Sequence, residues 1–352
     1  MQLTFLTSSV PLTKTYSRRK DGTIEKSAYP NVWEVSSHSE EVTDLHSFLS
    51  AINKYASQGA CMLKGNVLRQ LENESRKDST DRNAPTSFLC LDIDGIAPQI
   101  TTVNTVHDPS TDATTEVTQT VRVDVDYVLE SIGLKDVSYI LQWSGSMGVF
   151  NDSLRCHVFV MLSKPVPAPL IKQWLIQKNH ESPVLRVHQS LTKTGNSLSW
   201  GLDVTACQSD KLIYIADPVL KGIKNPLGKL PRTSIVHKAN ATFDLDCKIN
   251  GTEQNRALTD KRVAELRDRD GLPKRKMSYK TVGAHEILAK PGECTVTGIK
   301  VDRGFVYLNL NGGDSWGYFH PENNPDFIFN FKGIIQQQSV MTRKSIFRLK
   351  LN

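Results

Sequence analysis

The sequence predicts an α+β fold, and three observations predict it. Residues 88–94, 138–143 and 155–162 are short, mostly apolar runs of the kind that form buried strands. Residues 42–55 carry apolar side chains at helical spacing, as an amphipathic helix does. The C-terminal part contains further β-like runs, separated by turns rich in Asn, Gly and Pro. Helices and strands are therefore expected in one large domain, with a smaller, mostly β region at the end.

Two helices are expected in the N-terminal part. The clearer one has an apolar stripe that consists of Val42, Leu45, Phe48, Leu49, Ile52 and Tyr55. Ser37 and Glu40 stand before this stripe at the spacing of a capping box, which predicts that the helix begins there. A second helix is expected over 66–74, with Leu68 and Leu71 turned inward.

Composition divides the chain into three parts. Residues 1–220 contain the predicted helices and most of the predicted strands, and they form the main domain. After residue 221 the sequence shifts to Lys, Gly, Pro and Asn, and residues 253–280 carry nine Lys and Arg against five Asp and Glu. Residues 221–280 are therefore predicted to be a basic helical linker, and residues 281–352 a small β-rich accessory module.

Composition also excludes several classes of protein. The chain has 352 residues and no run of about 18 apolar residues, so no membrane span is predicted. Its first residues lack a basic region and a sustained apolar stretch, so they are not expected to be a signal peptide. The six cysteines form no C-x-x-C pair, which predicts a cytoplasmic protein without a disulfide framework. The net charge of +6 weakly favours a polyanionic partner.

Two carboxylates end the apolar run at residues 88–95, which reads Phe-Leu-Cys-Leu-Asp-Ile-Asp-Gly. Because strand side chains alternate between faces, Asp92 and Asp94 share one face, while Leu91 and Ile93 point to the other. Two like charges this close raise one another's pKa unless a cation lies between them, and carboxylate oxygens suit Mg²⁺ or Mn²⁺. The plainer alternative is a turn-forming pair at a strand end.

A basic strand forms the second group of interest. Arg155 and His157 are two residues apart and share one face of the predicted strand, whereas the opposite face is apolar and consists of Cys156, Val158 and Val160. A loop of Ser and Gly at 144–148 precedes it. Charged side chains together with backbone N–H groups suit the binding of phosphate oxygens. A strand whose outer face is simply polar is the alternative.

Asp203 is the third group, within Gly201-Leu202-Asp203-Val204. Alone, such an Asp is typical of a cap or a turn. In combination, the chain supplies an Asp-x-Asp pair, then a basic strand with a His, then a single Asp. Three carboxylates and two phosphate binders are what two-metal phosphoryl transfer requires.

These three segments resemble, in order and spacing, the three motifs of the archaeo-eukaryotic primase superfamily. The residues that carry the resemblance are Asp92-Ile93-Asp94, Ser144-Gly145-Ser146 with Arg155-Cys156-His157, and Leu202-Asp203. The likeness is closest to the primase-polymerases of bacteriophages and plasmids, which Lys64-Gly65 and Ser75-Arg76 also resemble. Residues 314–321 and 330–333 resemble the segment that follows the catalytic domain in such proteins. The cysteine-rich zinc element of some relatives and the helicase part of many phage relatives are missing.

The resemblance implies a two-layer catalytic core around an RRM-like sheet. It implies that Asp92, Asp94 and Asp203 are catalytic and hold two Mg²⁺ or Mn²⁺ ions. It also implies that the phosphates of an incoming NTP or dNTP are bound by His157 and, by weaker extrapolation, by Arg155, Ser146 and Lys211.

The same resemblance implies a place in phage or plasmid replication. The expected partners are a single-stranded DNA template, a primer, nucleotides and a replicative helicase, fused or separate, in the host cytoplasm. Arg76, the basic run Lys274-Arg275-Lys276 and the basic run at residues 18–20 are expected to contact nucleic acid. Such runs are equally typical of solvated loops.

Two other functions stay open. The segment Leu91-Asp92-Ile93-Asp94-Gly95 resembles the nucleophile loop of haloacid-dehalogenase phosphohydrolases, but Ile96 stands where that family has Thr or Val, and no late Gly-Asp-x-x-x-Asp follows. The third possibility is a non-catalytic replication protein that keeps the primase fold to bind DNA or recruit a helicase.

Overall fold

The computed structural model describes residues 1–30, 32–81, 84–108, 113–245 and 249–272, together with five strands of the C-terminal part. The chain divides into two compact units, Met1–Lys274 and Arg275–Asn352. Within the described residues the fold is mixed α+β, with five α-helices and several antiparallel sheets, which confirms the predicted class. None of the helices described is both long enough and apolar enough to cross a bilayer.

The first unit alternates strands and helices. Its helices are α1 (Leu45–Ala56), α2 (Val125–Ser131), α3 (Ala168–Glu181), α4 (Pro183–Val187) and α5 (Thr252–Arg269). Its strands are β1 (Gln2–Thr7), β2 (Thr15–Arg18), β3 (Ile24–Ser27), β4 (Ser36–Glu41), β5 (Cys61–Leu63), β6 (Pro85–Ile96), β7 (Gln99–Asp108), β8 (Ala113–Arg122), β9 (Tyr139–Trp143), β10 (Leu154–Pro167), β11 (Ser190–Leu191), β12 (Leu198–Ser199), β13 (Leu212–Tyr214), β14 (Val219–Lys221) and β15 (Thr233–Val236).

Two four-stranded antiparallel sheets organise this unit. The central sheet has the strand order β15-β9-β10-β6, and the outer sheet has the order β13-β5-β1-β4. A smaller sheet, β14-β2-β3, includes one parallel pair, and β7 and β8 form an antiparallel hairpin. Residues 96–123, whose Thr- and Val-rich sequence predicts either an extended insertion or a hairpin, therefore contain a hairpin.

The central sheet is buried on both faces. One face packs against helices α2 to α4 through residues that include Leu91, Ile93, Cys156, Val158 and Trp174. The other face packs against α1 and the outer sheet through residues that include Phe88, Cys90, Phe159, Phe48 and Met62. This second face is apolar only as far as Cys90 on β6, because the next residues on that face are Asp92 and Asp94.

Helix α1 begins later than the sequence indicates. The predicted capping box of Ser37 and Glu40 is wrong, because both residues lie in β4, which pairs with β1. The observed N-cap is Asp44, whose carboxylate accepts a hydrogen bond from the Ser47 N–H at 2.7 Å, while the Ser47 hydroxyl oxygen accepts one from the Asp44 N–H at 3.1 Å. The predicted apolar stripe is confirmed, with Phe48 and Ile52 fully buried.

The helix predicted over 66–74 is wrong. This segment is irregular and extended, and Val67 forms a bridge with Thr80. Leu71 is buried as expected, but Leu68 is 68% exposed. The Leu71 N–H donates to the Ser37 hydroxyl oxygen at 2.8 Å, and the Ser37 N–H donates to the Leu71 carbonyl at 2.9 Å. Pairing with β4 therefore uses backbone groups that a helix would have needed.

Residues 221–272 pack into the first unit, which differs from the linker that the sequence predicts. β15 pairs with β9 at the edge of the central sheet. The predicted basic helix is present as α5, and its Asn255 side chain donates to the Gln173 carbonyl of α3 at 2.9 Å. Val263 and Leu266 are buried against Leu198. These two apolar residues suffice to fix a helix whose stripe is otherwise polar.

The second unit contains a five-stranded antiparallel sheet. Its strands are β16 (Val296–Asp302), β17 (Phe305–Leu310), β18 (Trp316–Phe319), β19 (Ile328–Asn330) and β20 (Val340–Met341), paired in that order. The sequence predicts β-like runs at 294–301, 304–310, 327–331 and 345–351. The first three contain strands, whereas the fourth lies outside the described residues.

Lys64 is a fully buried cation that ties the outer sheet to the central sheet. It follows β5, and its Nζ donates to the Thr86 hydroxyl oxygen at 2.6 Å and to the Phe88 carbonyl at 2.8 Å, both on β6. Burial lowers the pKa of Lys64 to about 8. Between this pKa and its ordinary value of 10.5, the unfolded chain binds more protons than the folded chain. Stability contributed by Lys64 therefore rises with pH across this window.

We predict that Lys64→Met removes this pH dependence. The free energy of unfolding of the wild-type chain minus that of Lys64→Met should rise by about 2 kcal/mol between pH 7.5 and 10. Urea unfolding at the two pH values measures the difference, and Lys77→Met, which removes an exposed lysine, is the matched control. A difference that stays constant with pH would contradict the prediction.

Candidate active site

The acidic and basic strands lie side by side, with their polar residues facing each other. In the antiparallel register of β6 and β10, His157 is directly opposite Asp92, and Arg155 is directly opposite Asp94. The distance from His157 Nε2 to Asp92 Oδ1 is 3.8 Å, and Arg155 forms an ion pair with Asp94. The predicted sharing of one face by Asp92 and Asp94, and by Arg155 and His157, is confirmed. Cross-strand pairs of opposite charge stabilise such a register.

Gly95 allows β6 to end beside Arg155. Its φ is +88°, a conformation that other residues rarely adopt. The register passes from Asp94 opposite Arg155 to Ile96 opposite Leu154, which makes Gly95 the extra residue of a β-bulge. A Cβ atom at this position would lie 3.4 Å from Arg155 Nη2. Such a contact is an ordinary one, so it is the positive φ rather than the available space that favours glycine here.

Asp203 lies next to Asp92 because the two backbones are paired. The Asp203 N–H donates to the Asp92 carbonyl at 3.0 Å, and Ile93 forms an antiparallel bridge with Leu202. Asn179 of α3, fully buried, holds Leu202 in place, because its amide accepts from the Leu202 N–H at 3.1 Å and donates to the Leu202 carbonyl at 3.0 Å. Helix α3 therefore positions the third carboxylate beside the first two.

The Asp203 carboxylate is engaged within the chain. It caps the short 3₁₀ helix Val204–Cys207, accepting from the Thr205 N–H and hydroxyl at 2.8 Å each. Its other oxygen accepts from Lys211 Nζ at 2.8 Å. Burial alone would raise the pKa of Asp203, but these hydrogen bonds lower it overall. The capping role that a single Asp suggests and the position beside Asp92 are thus both present.

The first aspartate has a different electrostatic environment. Burial raises the pKa of Asp92, and the neighbouring charges of Asp203 and Asp94 add to this rise, while His157 opposes it. Burial lowers the pKa of His157, and the negative charge of Asp92 partly offsets this decrease. For Lys211, burial acts to lower the pKa, but the hydrogen bond and charge of Asp203 raise it overall. Perturbed groups gathered in this way are typical of functional sites.

A chain of hydrogen bonds sets the tautomer of His157. The Gln142 side-chain N–H donates to the Ile215 carbonyl at 3.0 Å, so its oxygen is turned toward His157 Nδ1, 2.9 Å away. Nδ1 therefore carries the proton, and in the neutral ring Nε2 presents a lone pair toward Asp92. Gln142 on β9 is thus a positioning residue that the sequence analysis missed.

Asp92, Asp94, His157 and Lys211 line a cleft of about 230 Å³, whereas Asp203 and Arg155 are not among its lining residues. Its lining residues are Lys14, Tyr29, Cys90, Asp92, Ile93, Asp94, Ser144, Gly145, Ser146, His157, Ala206, Lys211, Leu212, Ile213 and Tyr214. Ser146, predicted as a phosphate binder, therefore lies on the cleft wall opposite the strands, and Lys211 also reaches it. Lys14 and Tyr29 come from the N-terminal segment, and no sequence motif indicates them.

The Ser144–Gly148 loop, here called the serine loop, is held by the segment that follows β13. Arg232 donates to the carbonyls of Trp143 at 3.2 Å and Ser144 at 2.9 Å, and pairs with Asp217 at 2.9 Å. Gly148 has a φ of +68°, and a Cβ atom there would lie 2.7 Å from Pro226. Part of the predicted linker therefore forms one support of the cleft.

The chemistry of the carboxylate ligands suits a hard divalent cation, but their present arrangement does not. Three carboxylates are gathered, which is the chemistry that Mg²⁺ and Mn²⁺ prefer. Among the described residues, however, no group of three or more His, Cys, Asp or Glu side chains is arranged to hold a metal ion. The ion pairs explain this, because Arg155 is held by Asp94 and Lys211 by Asp203. Cation binding would require these carboxylates to exchange partners.

Arg76, which is predicted to contact nucleic acid, does not line the cleft. Arg76 is exposed, and its guanidinium donates to the Asp210 carbonyl at 3.0 Å, close to Lys211 in the chain. Lys274, Arg275 and Lys276 lie outside the described residues.

We predict that Arg232→Met loosens the serine loop without disturbing β9. The Met147 N–H bonds the Ser144 carbonyl at 3.1 Å and the Val149 N–H bonds the Ser146 carbonyl at 3.2 Å, so these amides report loop opening. Loss of two hydrogen bonds to a charged group should speed their exchange about tenfold or more. Hydrogen-exchange mass spectrometry measures this, with Arg256→Met on the exposed face of α5 as control. Unchanged exchange over 144–149 would count against the supporting role.

Comparison with known proteins leaves the site to be interpreted from its own chemistry. The chain matches no protein-family model, no curated protein and no solved structure. The features available for a functional argument are therefore the three neighbouring aspartates, the oriented histidine and the cations of the cleft.

Proposed function

We propose that the protein is a template-directed primase-polymerase. In the proposed reaction, a 3′-oxygen attacks the α-phosphate of an NTP or dNTP, and pyrophosphate leaves. The observation that carries the proposal is the hydrogen bond from the Asp203 N–H to the Asp92 carbonyl, at 3.0 Å. It joins the third segment of the primase-like pattern to the first, as a shared site requires.

The architecture of the first unit supports the proposal. The resemblance implies an RRM-like sheet, and the central sheet is four-stranded and antiparallel, with α2 to α4 packed on one face and α1 and the outer sheet on the other. Asp92, Asp94, Arg155 and His157 lie on the face turned away from α2 to α4, at the end where the apolar packing stops. A substrate would thus approach an open end of a rigid sheet, which suits precise positioning.

Asp92, Asp94 and Asp203 are the residues that would hold divalent cations. Bound there, two Mg²⁺ or Mn²⁺ ions would activate the attacking oxygen and offset the charge of the leaving pyrophosphate. The raised pKa of Asp92 fits this assignment, since a nearby cation would favour its charged form.

The cations of the cleft would then serve the triphosphate. His157, whose Nδ1 is bonded to the Gln142 oxygen, would bind a phosphate oxygen through Nε2 once that nitrogen is protonated. Lys211 and Arg155 would exchange their carboxylate partners for phosphate oxygens, with which Arg can form two parallel hydrogen bonds. Ser146 lies on the serine loop and lines the cleft, and its hydroxyl, 3.1 Å from the Ser144 hydroxyl oxygen, would be a further donor.

Template contacts would come from exposed basic residues. Arg76 is exposed, as are the residues of the basic run at 18–20. Within that run, Arg19 is already paired with Glu25 at 2.8 Å, and the Arg18 guanidinium donates to two backbone carbonyls. Lys20 is therefore the better candidate within that run. Arg76, which uses one N–H on the Asp210 carbonyl, is a second candidate, and the contribution of both should weaken as salt is raised.

We predict that the wild-type chain extends a primed circular single-stranded DNA with labelled nucleotides in Mg²⁺ or Mn²⁺. Asp92→Asn, Asp94→Asn and Asp203→Asn should each reduce incorporation on the order of 10³-fold, because each removes a charge that holds a cation. The control is Asp152→Asn, an exposed carboxylate on the turn before β10. Supplying ribo- and deoxynucleotides separately, with and without primer, reports sugar choice and de novo priming.

Other outcomes would identify the remaining functions. Rapid hydrolysis of a generic phosphate ester, lost on Asp92→Asn alone, would indicate a phosphohydrolase. Salt-sensitive DNA binding that survives loss of all three aspartates, with no incorporation in either metal, would indicate a non-catalytic replication protein. The ion pairs of Asp94 and Asp203 favour that second candidate, because they give both carboxylates a structural role.

A further inference from the structure

Lys14 reaches the cleft from outside the three primase-like segments. It immediately precedes β2, and its carbonyl accepts from the Val219 N–H of β14 at 3.0 Å, which fixes its backbone. Its side chain is half-buried and lines the cleft together with Asp92, Asp94 and His157. A cation is thus built into the cleft by the N-terminal segment.

Lys14 differs from the other cations of the cleft in having no acidic partner. Arg155 is paired with Asp94, and Lys211 with Asp203. Within the part of the chain that the structure describes, Lys14 Nζ has neither an ion pair nor a hydrogen bond. The charges that act on it are Lys26 and Arg155, which repel it, and Asp94 and Asp92, which attract it from a distance. Its three N–H donors are therefore available to a ligand.

Two stacked tyrosines hold this ammonium group in position. Lys14 Nζ lies 4.5 Å from the centroid of the Tyr29 ring. Tyr29 is stacked on Tyr214 of β13, with ring centroids 3.4 Å apart and planes inclined by 11°. A cation over an aromatic face is stabilised by the ring without using its hydrogen-bond donors. The stack therefore positions Lys14 but leaves its binding capacity unused.

We propose that Lys14 is an anion-binding residue of the cleft, and that it takes phosphate oxygens of a polyphosphate such as the triphosphate of a nucleotide. The inference deepens the proposed function, on which the identity of the ligand as a nucleotide rests. Lys14 can accept such a ligand at once, whereas Arg155 and Lys211 must first release Asp94 and Asp203.

The energetics of the ligand-free cleft agree with this role. Burial lowers the pKa of Lys14, and the charge of Lys26 adds to the effect. A partly buried ammonium without hydrogen-bond partners is unfavourable, and a bound polyanion would remove this penalty. Lys14 is thus a partly desolvated cation, and a bound phosphate would offset the cost of that desolvation.

The test is binding of inorganic tripolyphosphate to the full chain, measured by isothermal titration calorimetry in excess Mg²⁺. We expect Lys14→Met to weaken binding about tenfold or more, since a hydrogen bond to a charged group is lost. Lys14→Arg should restore most of the affinity. Lys77→Met is the control, because it removes an exposed lysine that does not line the cleft, and we expect a change of less than about twofold.

Tyr29→Leu separates positioning from charge. It removes the ring beneath the ammonium and should weaken tripolyphosphate binding, whereas Tyr29→Phe, which keeps the aromatic face, should not. Unfolding temperatures of all variants check that the fold is kept. If Lys14→Met does not fold, Lys14→Gln carries the same expectation.

The outcomes distinguish this inference from the proposed function. Binding that depends on Lys14 in a protein that incorporates no nucleotide supports the inference and removes the polymerase assignment. Nucleotide incorporation whose KM is unchanged in Lys14→Met overturns the inference and leaves the polymerase assignment standing. Absence of tripolyphosphate binding by the wild-type chain, or equal losses in Lys14→Met and Lys77→Met, also overturns it.

Discussion

The pairing of Asp203 with Asp92 is the contact on which the rest of the site depends. The two aspartates are far apart in the sequence, and one backbone hydrogen bond of 3.0 Å, next to the Ile93–Leu202 bridge, brings them together. Backbone pairing of this kind leaves both side chains free to take other partners. Asn179 reinforces it from α3, because it satisfies both backbone groups of Leu202, which would otherwise be buried without partners. The neighbouring aspartates are thus held in place by hydrogen bonds between neutral backbone and amide groups.

The charges of the cleft are balanced within the chain, and this balance shapes its chemistry. Asp94 is offset by Arg155, Asp203 by Lys211, and Asp92 faces a histidine whose pKa burial lowers. Such pairs allow three carboxylates to share a small space before any cation arrives. They also mean that a divalent cation and a polyphosphate would bind together, the cation taking the carboxylates and the polyphosphate the released Arg155 and Lys211. Lys14, which has no acidic partner, fits the first contact in that exchange.

Local patterns allowed the strands and their faces to be predicted, because side-chain alternation on β6 and β10 depends only on neighbouring residues. The sharing of a face by Asp92 and Asp94 follows from that rule, as does the burial of the α1 stripe. The wrong predictions concern segments whose structure is set by pairing with residues far away in the sequence. Ser37 and Leu71 exchange hydrogen bonds. Because of this pairing, Ser37 lies in a strand and not in the predicted helix cap, and the helix predicted over 66–74 is an extended segment. Lys14, Gln142, Asn179 and Arg232 carry no motif, and only the tertiary structure brings them to the cleft or to its supports. The second unit was predictable as a β module only from its turn-separated runs.

The most direct test of the central claim is a crystal structure of the full chain soaked with Mn²⁺, with anomalous scattering used to locate the ion. We expect an anomalous peak bounded by the carboxylates of Asp92, Asp94 and Asp203, with the Asp203 N–H still bonded to the Asp92 carbonyl. We also expect Arg155 and Lys211 to have turned away from their acidic partners. A structure in which Asp203 lies apart from Asp92, or in which Mn²⁺ binds only elsewhere on the chain, would contradict this claim.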